Sequence, residues 1–373
     1  MTTYSGVSDT VHGQVPAVGI LVTNVGSPSA PTRQALKKYL AQFFSDPRVI
    51  ENQGLLWKLI LHGIILRTRP RRSAHAYRQI WTEEGSPLLA IARRQAKGIA
   101  ATLASAIGSP LHVAVGMGYG TPSIARALAE LRDLGCRRIL VLPLFPQYAS
   151  ATVGSTFDAV TSALQRWRWI PEFRLVAQYH DEAAYIQALA ASVRELWDRE
   201  GEPDRLLLSF HGLPQRCLLE GDPYHCQCHK TARLLADLLK LPADKWFLAF
   251  QSRFGRAIWL RPFTDETLKA WGREGVAKVD VICPGFSADC LETIEEIGVE
   301  NRNHFLGAGG KKFRYIPALN DRTDHIEALA AIAIRHLSGW VVPAKAWNGT
   351  LAREEAGRTE ERAKAKQREG LNS

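Results

Sequence analysis

Two short stretches of this chain carry residue types that can do chemistry. In LLLSFHGLPQR, Leu206–Arg216, an apolar run ends in His211 and is stopped at once by Gly212 and Pro214. Leu206, Leu207 and Leu208 read as a buried strand, so His211 stands at its C-terminal lip. That lip is where open α/β sheets bind ligands. An imidazole there is either a metal ligand or general base, or a ring satisfied by the next loop.

In CPGFSADCLETIEEIGVEN, Cys283–Asn301, another apolar strand exits through Pro-Gly. Ser287 or Asp289 can cap a helix that follows. On one helix, Asp289, Glu292, Glu296 and Glu300 share a face. Such a row is either a solvated stripe, or a line that carries protons or hydrated metal, because packed carboxylates repel unless a cation or proton sits among them. A neutral imidazole facing a carboxylate can ligate a divalent metal or accept protons.

A third stretch, HCQCH at His225–His229, has ligand types for zinc, but its ligands are nearly contiguous where structural sites use spaced pairs. Cys217 could join Cys226 and Cys228 in an iron–sulfur site only with a fourth ligand such as Cys136.

The elements that position these residues read as α/β. Strand patterns fall at Ala17–Gly26, His112–Gly120 and Arg138–Phe145, then at RLVAQY, RLLLSF, WFLAFQ and VDVICPGF. Helical patterns lie between them, at Thr32–Phe44, Glu182–Arg199, Thr231–Leu239 and Asp324–Leu337 among others. The halves repeat: VTNVGSP aligns with LSFHGLP, so that Val25 matches His211, and MGYG aligns with SRFG. VLPLF aligns more loosely with VICPGF. Two similar α/β domains offering strand ends to one cleft follow from this, with boundaries at 17–165 and 166–340. Residues 1–16 read as a flexible N-terminus and 341–373 as a charged tail.

With 373 residues, 46% apolar and 23% charged, the chain suits a globular protein of two domains. The start lacks an apolar signal segment and no run of 18 apolar residues occurs, so a cytoplasmic protein with reduced thiols is expected. The formal charge is +10. Lys58, Arg67, Arg69, Arg71 and Arg72 border LLWKLILHGIIL without an acid. This suits either a surface touching anionic lipid or an anionic amphiphile, or an ordinary amphipathic helix with a basic end. Nucleic acid is not indicated, since no stacking aromatics or binding motif accompany the charge.

The motif series resembles the ferrochelatases of bacterial type, which insert ferrous iron into protoporphyrin. It runs LVTNVGSP, SDPRVIE, YRQIW with GSPL, LPLFPQYASATVGS, SFHGLP with GDPY, QSRFG with WL, and CPGFSADCLET, in family order over Ala17–Leu337. The resemblance implies two Rossmann-like (chelatase-like) domains with parallel sheets around a central cleft. It implies Fe2+ and protoporphyrin IX as substrates, with no cofactor required. It assigns His211 and Glu292 to catalysis and metal contact, and Asp289, Glu296 and Glu300 to a metal or proton path. It places Val25, Tyr119, Trp259 and Phe286 in the porphyrin pocket. The insert 55–90 becomes a pocket lip whose segment 55–72 can rest peripherally on a membrane, with arginines available to propionates.

The chain also departs from the family. Gly118 stands where many members have arginine, Cys290 where some have histidine, and Val25, which cannot ligate metal, where some carry Met or Tyr. Ser150 takes the internal cysteine position of the animal enzymes and no cysteine follows Cys290, so their [2Fe–2S] cluster is not expected. A chelatase for cobalt or coproporphyrin, and a non-catalytic tetrapyrrole-binding protein, are the alternatives.

Overall fold

The computed structural model describes residues 4–6, 13, 15–255 and 257–368. The expected flexibility of residues 1–16 therefore falls largely outside the described residues, as does the end of the tail. Two four-stranded sheets form the frame, each wholly parallel. The first contains β1 (Ala17–Ser27), β2 (Leu111–Gly120), β3 (Cys136–Pro143) and β4 (Glu172–Leu175) in the order β2-β1-β3-β4. The second contains β5 (Arg205–His211), β6 (Trp246–Gln251), β7 (Lys278–Ile282) and β8 (Lys312–Ile316) in the order β6-β5-β7-β8. The repeat read from the sequence is thus a repeat of topology. In each sheet the first strand lies between its successors, so the strand order reverses there, and that switch point opens a crevice beyond the strand ends. His211 ends β5, and Val25 lies two residues before the end of β1.

Helices fill the connections. They are α1 (Arg33–Phe44), α2 (Leu55–Ile60), α3 (Leu66–Ile80), α4 (Pro87–Ala106), α5 (Ile124–Asp133), α6 (Ser155–Leu164) and α7 (Ala183–Glu200). In the second half come α8 (Gln215–Leu219), α9 (Tyr224–Leu239), α10 (Thr264–Arg273), α11 (Leu291–Ile294), α12 (Arg302–Gly307) and α13 (Thr323–His336). α14 (Gly349–Arg368) is the charged tail, folded as a mostly exposed helix. Three π-helical segments interrupt them, at Leu61–Ile65, Ser150–Gly154 and Glu296–Asn301. The first joins α2 to α3, so the basic apolar insert is one long irregular helix.

The expected boundary at 165/166 falls too early, because β4 completes the first sheet. Nor do the halves keep separate cores. Val18, Ile20, Leu140 and Leu142 of the first sheet share one buried cluster with Leu206, Leu208 and Phe210 of the second. α13 closes it by packing on α4, and Gly98 permits the approach: a Cβ there would stand 3.0 Å from Ile326. Between β7 and β8, buried Asp280 accepts from Arg314 Nε and Nη2 at 2.6 Å each and from Trp197 Nε1 at 2.8 Å. A bidentate charged pair with an added donor engages both carboxylate oxygens of Asp280 where water is excluded.

His325, fully buried on α13, places Nδ1 2.8 Å from the Asn320 carbonyl. Burial pushes its pKa down to about 4. The folded state then keeps this ring neutral while the unfolded chain takes a proton below the usual value near 6.5, so stability present at neutral pH is lost as pH falls toward 4. Urea denaturation near pH 7.5 and pH 4.5 should show wild type losing about 2–3 kcal/mol more than His325→Gln; equal losses would remove the ring from the acid response.

Candidate active site

His211 is the last residue of β5, in register with Gln251 of β6. Its Nδ1 lies 2.7 Å from the Gly212 carbonyl oxygen. A carbonyl only accepts, so Nδ1 carries the proton and Nε2 keeps a free lone pair. Gly212 is glycine for a packing reason: a Cβ would stand 2.8 Å from the Gln251 carbonyl oxygen and 3.2 Å from Cε3 of Trp259. The Trp259 ring, 7% exposed, therefore lies against the turn that presents the histidine, and its Nε1 donates to Phe254 O at 3.0 Å.

The carboxylates are arranged differently from the expected single helix. Asp289 precedes any helix. Its oxygens accept from Tyr315 Oη at 2.6 Å, Asn320 Nδ2 at 2.7 Å, Thr293 Oγ1 at 2.9 Å and the Ala318 N–H at 3.3 Å. This full set of partners makes Asp289 a structural knot and takes it out of the acidic row. The cap is Cys290, paired reciprocally with Thr293, in place of Ser287 or Asp289. After the single turn of α11 the backbone widens into the π segment, a form that recurs at functional sites.

Glu292, half-buried, is the second residue of α11, and its carbonyl oxygen accepts from Gln251 Nε2 at 2.7 Å. Its charge reaches Tyr39 of α1 and Tyr77 of α3, whose phenols are pushed up first by burial and then by Glu292 among other neighbours. Glu296 accepts from the Ser252 N–H at 2.8 Å and Ser252 Oγ at 2.5 Å. Burial pushes its pKa up to about 7, with Glu292 and Glu300 adding and the Ser252 bonds opposing. Glu300 is exposed. The row thus runs Glu292, Glu296, Glu300 from the cleft to solvent, with a group that titrates near neutrality in its middle.

Val25 and Phe286, from opposite halves, pack on one cluster with Leu88, Ile91, Ala288 and Cys290. The loop carrying Phe286 is held by Tyr179 Oη, 3.0 Å from Ser287 Oγ, and by Gln95 Nε2, which donates to Ser287 O at 2.8 Å. Tyr119 is 7% exposed, and its hydroxyl donates to Asp46 at 2.7 Å and lies 3.0 Å from Ser155 Oγ. It braces the rings of Tyr39 and Phe43 edge-on.

The sequence reading missed Tyr39, Gln251, Ser252 and Arg69. Arg69 lies between two rings, its guanidinium carbon 5.4 Å from the Phe44 centroid and 5.2 Å from that of Phe254. Among the described residues no carboxylate pairs with it. Five basic residues in the insert gave no signal to single it out.

HCQCH lies wholly inside α9, with Cys226 exposed and Cys228 buried. Among the described residues no group of three or more His, Cys, Asp or Glu side chains converges to hold a metal. The zinc and iron–sulfur readings of Cys136, Cys217, Cys226 and Cys228 therefore have no geometric support.

The sequence pattern of the family described as ferrochelatase matches residues 17–337. A ferrochelatase from Thioalkalivibrio sulfidiphilus is 57% identical over 337 residues, 90% of this chain and 91% of that one. One from Nitrosococcus oceani is 54% identical over 337 residues, with the same shares covered. The chain belongs to the ferrochelatase family.

Proposed function

We propose that this chain inserts Fe2+ into protoporphyrin IX to form protohaem and releases two protons, as the last step of haem synthesis. The observation that carries this reading is the free Nε2 of His211 at one switch point, with the row Glu292–Glu296–Glu300 leading to solvent. Metallation removes two pyrrole protons and strips water from the ion. A planar ring hides its nitrogen lone pairs, so a cleft that bends it directs binding energy toward the transition state. Trp259, Phe286 and Val25 supply the apolar walls. His211 accepts the pyrrole protons; Glu292 assists metal delivery or proton exit; Glu296 relays to Glu300. Iron here is a substrate, and no resident cofactor enters this reading. Val25 cannot ligate, so iron is delivered from the His211–Glu292 side.

Arg69 is the cation for a propionate. It is preoriented by two rings, open to solvent, and without a carboxylate partner among the described residues, so a substrate carboxylate completes it. The lip makes the membrane contact in this reading. No helix among the described residues is long and apolar enough to cross a bilayer. The lip instead exposes Leu55, Leu56, Leu59 and Ile64 beside Lys58 and Arg67, a composition that suits the interface of an anionic membrane.

Anaerobic Fe2+ insertion, followed by loss of porphyrin fluorescence, tests the reaction. His211→Ala should lose about 100-fold or more in kcat, the scale of a removed general base, while keeping porphyrin binding and fold. Glu292→Gln should lose a smaller factor. Wild type that binds porphyrin without turnover with Fe2+ or any other divalent metal would make the chain a tetrapyrrole carrier; faster turnover with Co2+ or with coproporphyrin would reassign its substrate.

Arg69→Ala should raise the KM for protoporphyrin about tenfold, the scale of one charged hydrogen bond, and leave kcat nearly unchanged. The effect should vanish with the porphyrin dimethyl ester. A kcat loss that persists with the ester would give Arg69 a structural role instead.

Cosedimentation with vesicles containing anionic lipid should fall sharply for Leu56→Ser/Leu59→Ser. Equal binding by the variant and wild type would remove the lip from membrane contact.

A further inference from the structure

HCQCH fails as a four-ligand site, yet two of its residues are arranged for a different one. His225 and His229 lie one turn apart on α9, with ring centroids 4.4 Å apart and planes 49° apart. Two imidazoles bound cis to one ion, each with nitrogen at about 2.1 Å, place their ring centres roughly 4.5 Å apart. The observed spacing matches cis coordination in a square or octahedral shell, and a tetrahedral ion would need the rings wider apart.

The surroundings favour the same use. His225 is half-buried with its ring near-parallel to Phe250, 5.8 Å between centroids, which restrains its orientation. His229 is exposed, so the pair opens to solvent and water can fill the remaining positions. The nearby side chains of Lys230, Thr231 and Gln227 are already hydrogen-bonded, to Asp181, to the His180 carbonyl and to Gln178.

We propose that His225 and His229 form a second divalent-metal site, apart from the chelation cleft, for a late first-row ion of square or octahedral preference. Cu2+ and then Ni2+ bind most tightly by the affinity order of such ions. An ion there staples the first turns of α9. That helix joins the halves through Gln227, which accepts from the Tyr148 N–H at 2.7 Å, and through Thr231, which accepts from Gln147 Nε2 at 3.0 Å. Binding to the folded chain alone stabilises it by mass action.

The test uses the full chain without affinity histidines, carrying His211→Ala so that the cleft does not compete. Cu2+ titration followed by electron paramagnetic resonance should show one equivalent bound with the coupling of two imidazole nitrogens, and a raised melting temperature. His229→Asn should weaken Cu2+ and Ni2+ binding at least tenfold and abolish the two-nitrogen signature. His225→Asn should do the same. His229 is exposed, so its variant keeps the test valid if loss of the Phe250 contact unfolds the His225 variant. In the otherwise wild-type chain, His229→Asn should leave Fe2+ insertion unchanged. Coupling to a single nitrogen, or stoichiometry and affinity untouched by His229→Asn, would overturn the site.

Discussion

Asp289 and Asn320 hold each other by two reciprocal hydrogen bonds, the Asp289 N–H to Asn320 Oδ1 at 2.8 Å and Asn320 Nδ2 to Asp289 Oδ2 at 2.7 Å. Much else hangs from that pair. It fixes the end of the loop after β7, and so decides where α11 can begin and which way Glu292 and Glu296 leave the backbone. Asn320 sits at φ +49°, an αL conformation its short polar side chain tolerates. Its carbonyl also takes hydrogen bonds from Gln95 of α4, at 2.9 Å, and from His325 of α13. One residue thereby ties the acidic row to helices from both halves. A buried carboxylate with every oxygen engaged is rigid, and rigidity is what a row of repelling carboxylates needs beside it.

Most of the frame was legible in the sequence because parallel strands buried on both faces read as apolar runs between turn residues. The runs in β1, β3, β5 and β6 are of this kind. β8 was not read: KFRYI interleaves charge with apolar residues, and its Arg314 is accommodated only because Asp280 lies across the sheet. β4 was read only as part of RLVAQY, and nothing local says which sheet a four-residue strand joins. At the site, His211, Glu292 and Trp259 were legible from strand ends and family motifs. The π segments were not, since a widened turn depends on what the helix packs against and leaves no period of its own. Asp289 looked like a member of the row because spacing records position on a helix, whereas its partners Tyr315 and Asn320 lie far along the chain.

The two halves share a topology and differ in chemistry. Each sheet brings its first strand to a switch point, one with Val25 two residues before its end and the other ending in His211. The polar functions gather on the second half: the histidine, the carboxylates, and the Gln251–Ser252 pair that grips the two successive turns. The first half contributes surface, through Tyr39, Phe43 and the long irregular helix carrying Arg69. In the proposed function, a flat aromatic macrocycle between such halves would meet protons and metal from one side and shape from the other. On that proposal a valine near the matching strand end is no defect: that side is asked for contact, not for ligands.

The common hydrophobic core bears on how such an enzyme can tell one guest from another. Side chains of both sheets interleave in one continuous interior, so the halves cannot swing apart like the jaws of a clamshell. The gap between them is a fixed gauge. On the proposed function, discrimination among macrocycles would then fall to rim segments outside that interior, and to the peripheral substituents those segments would touch. An engineer seeking a different tetrapyrrole would accordingly gain more from altering Leu61–Leu66 and the loop after β6 than from repacking the middle.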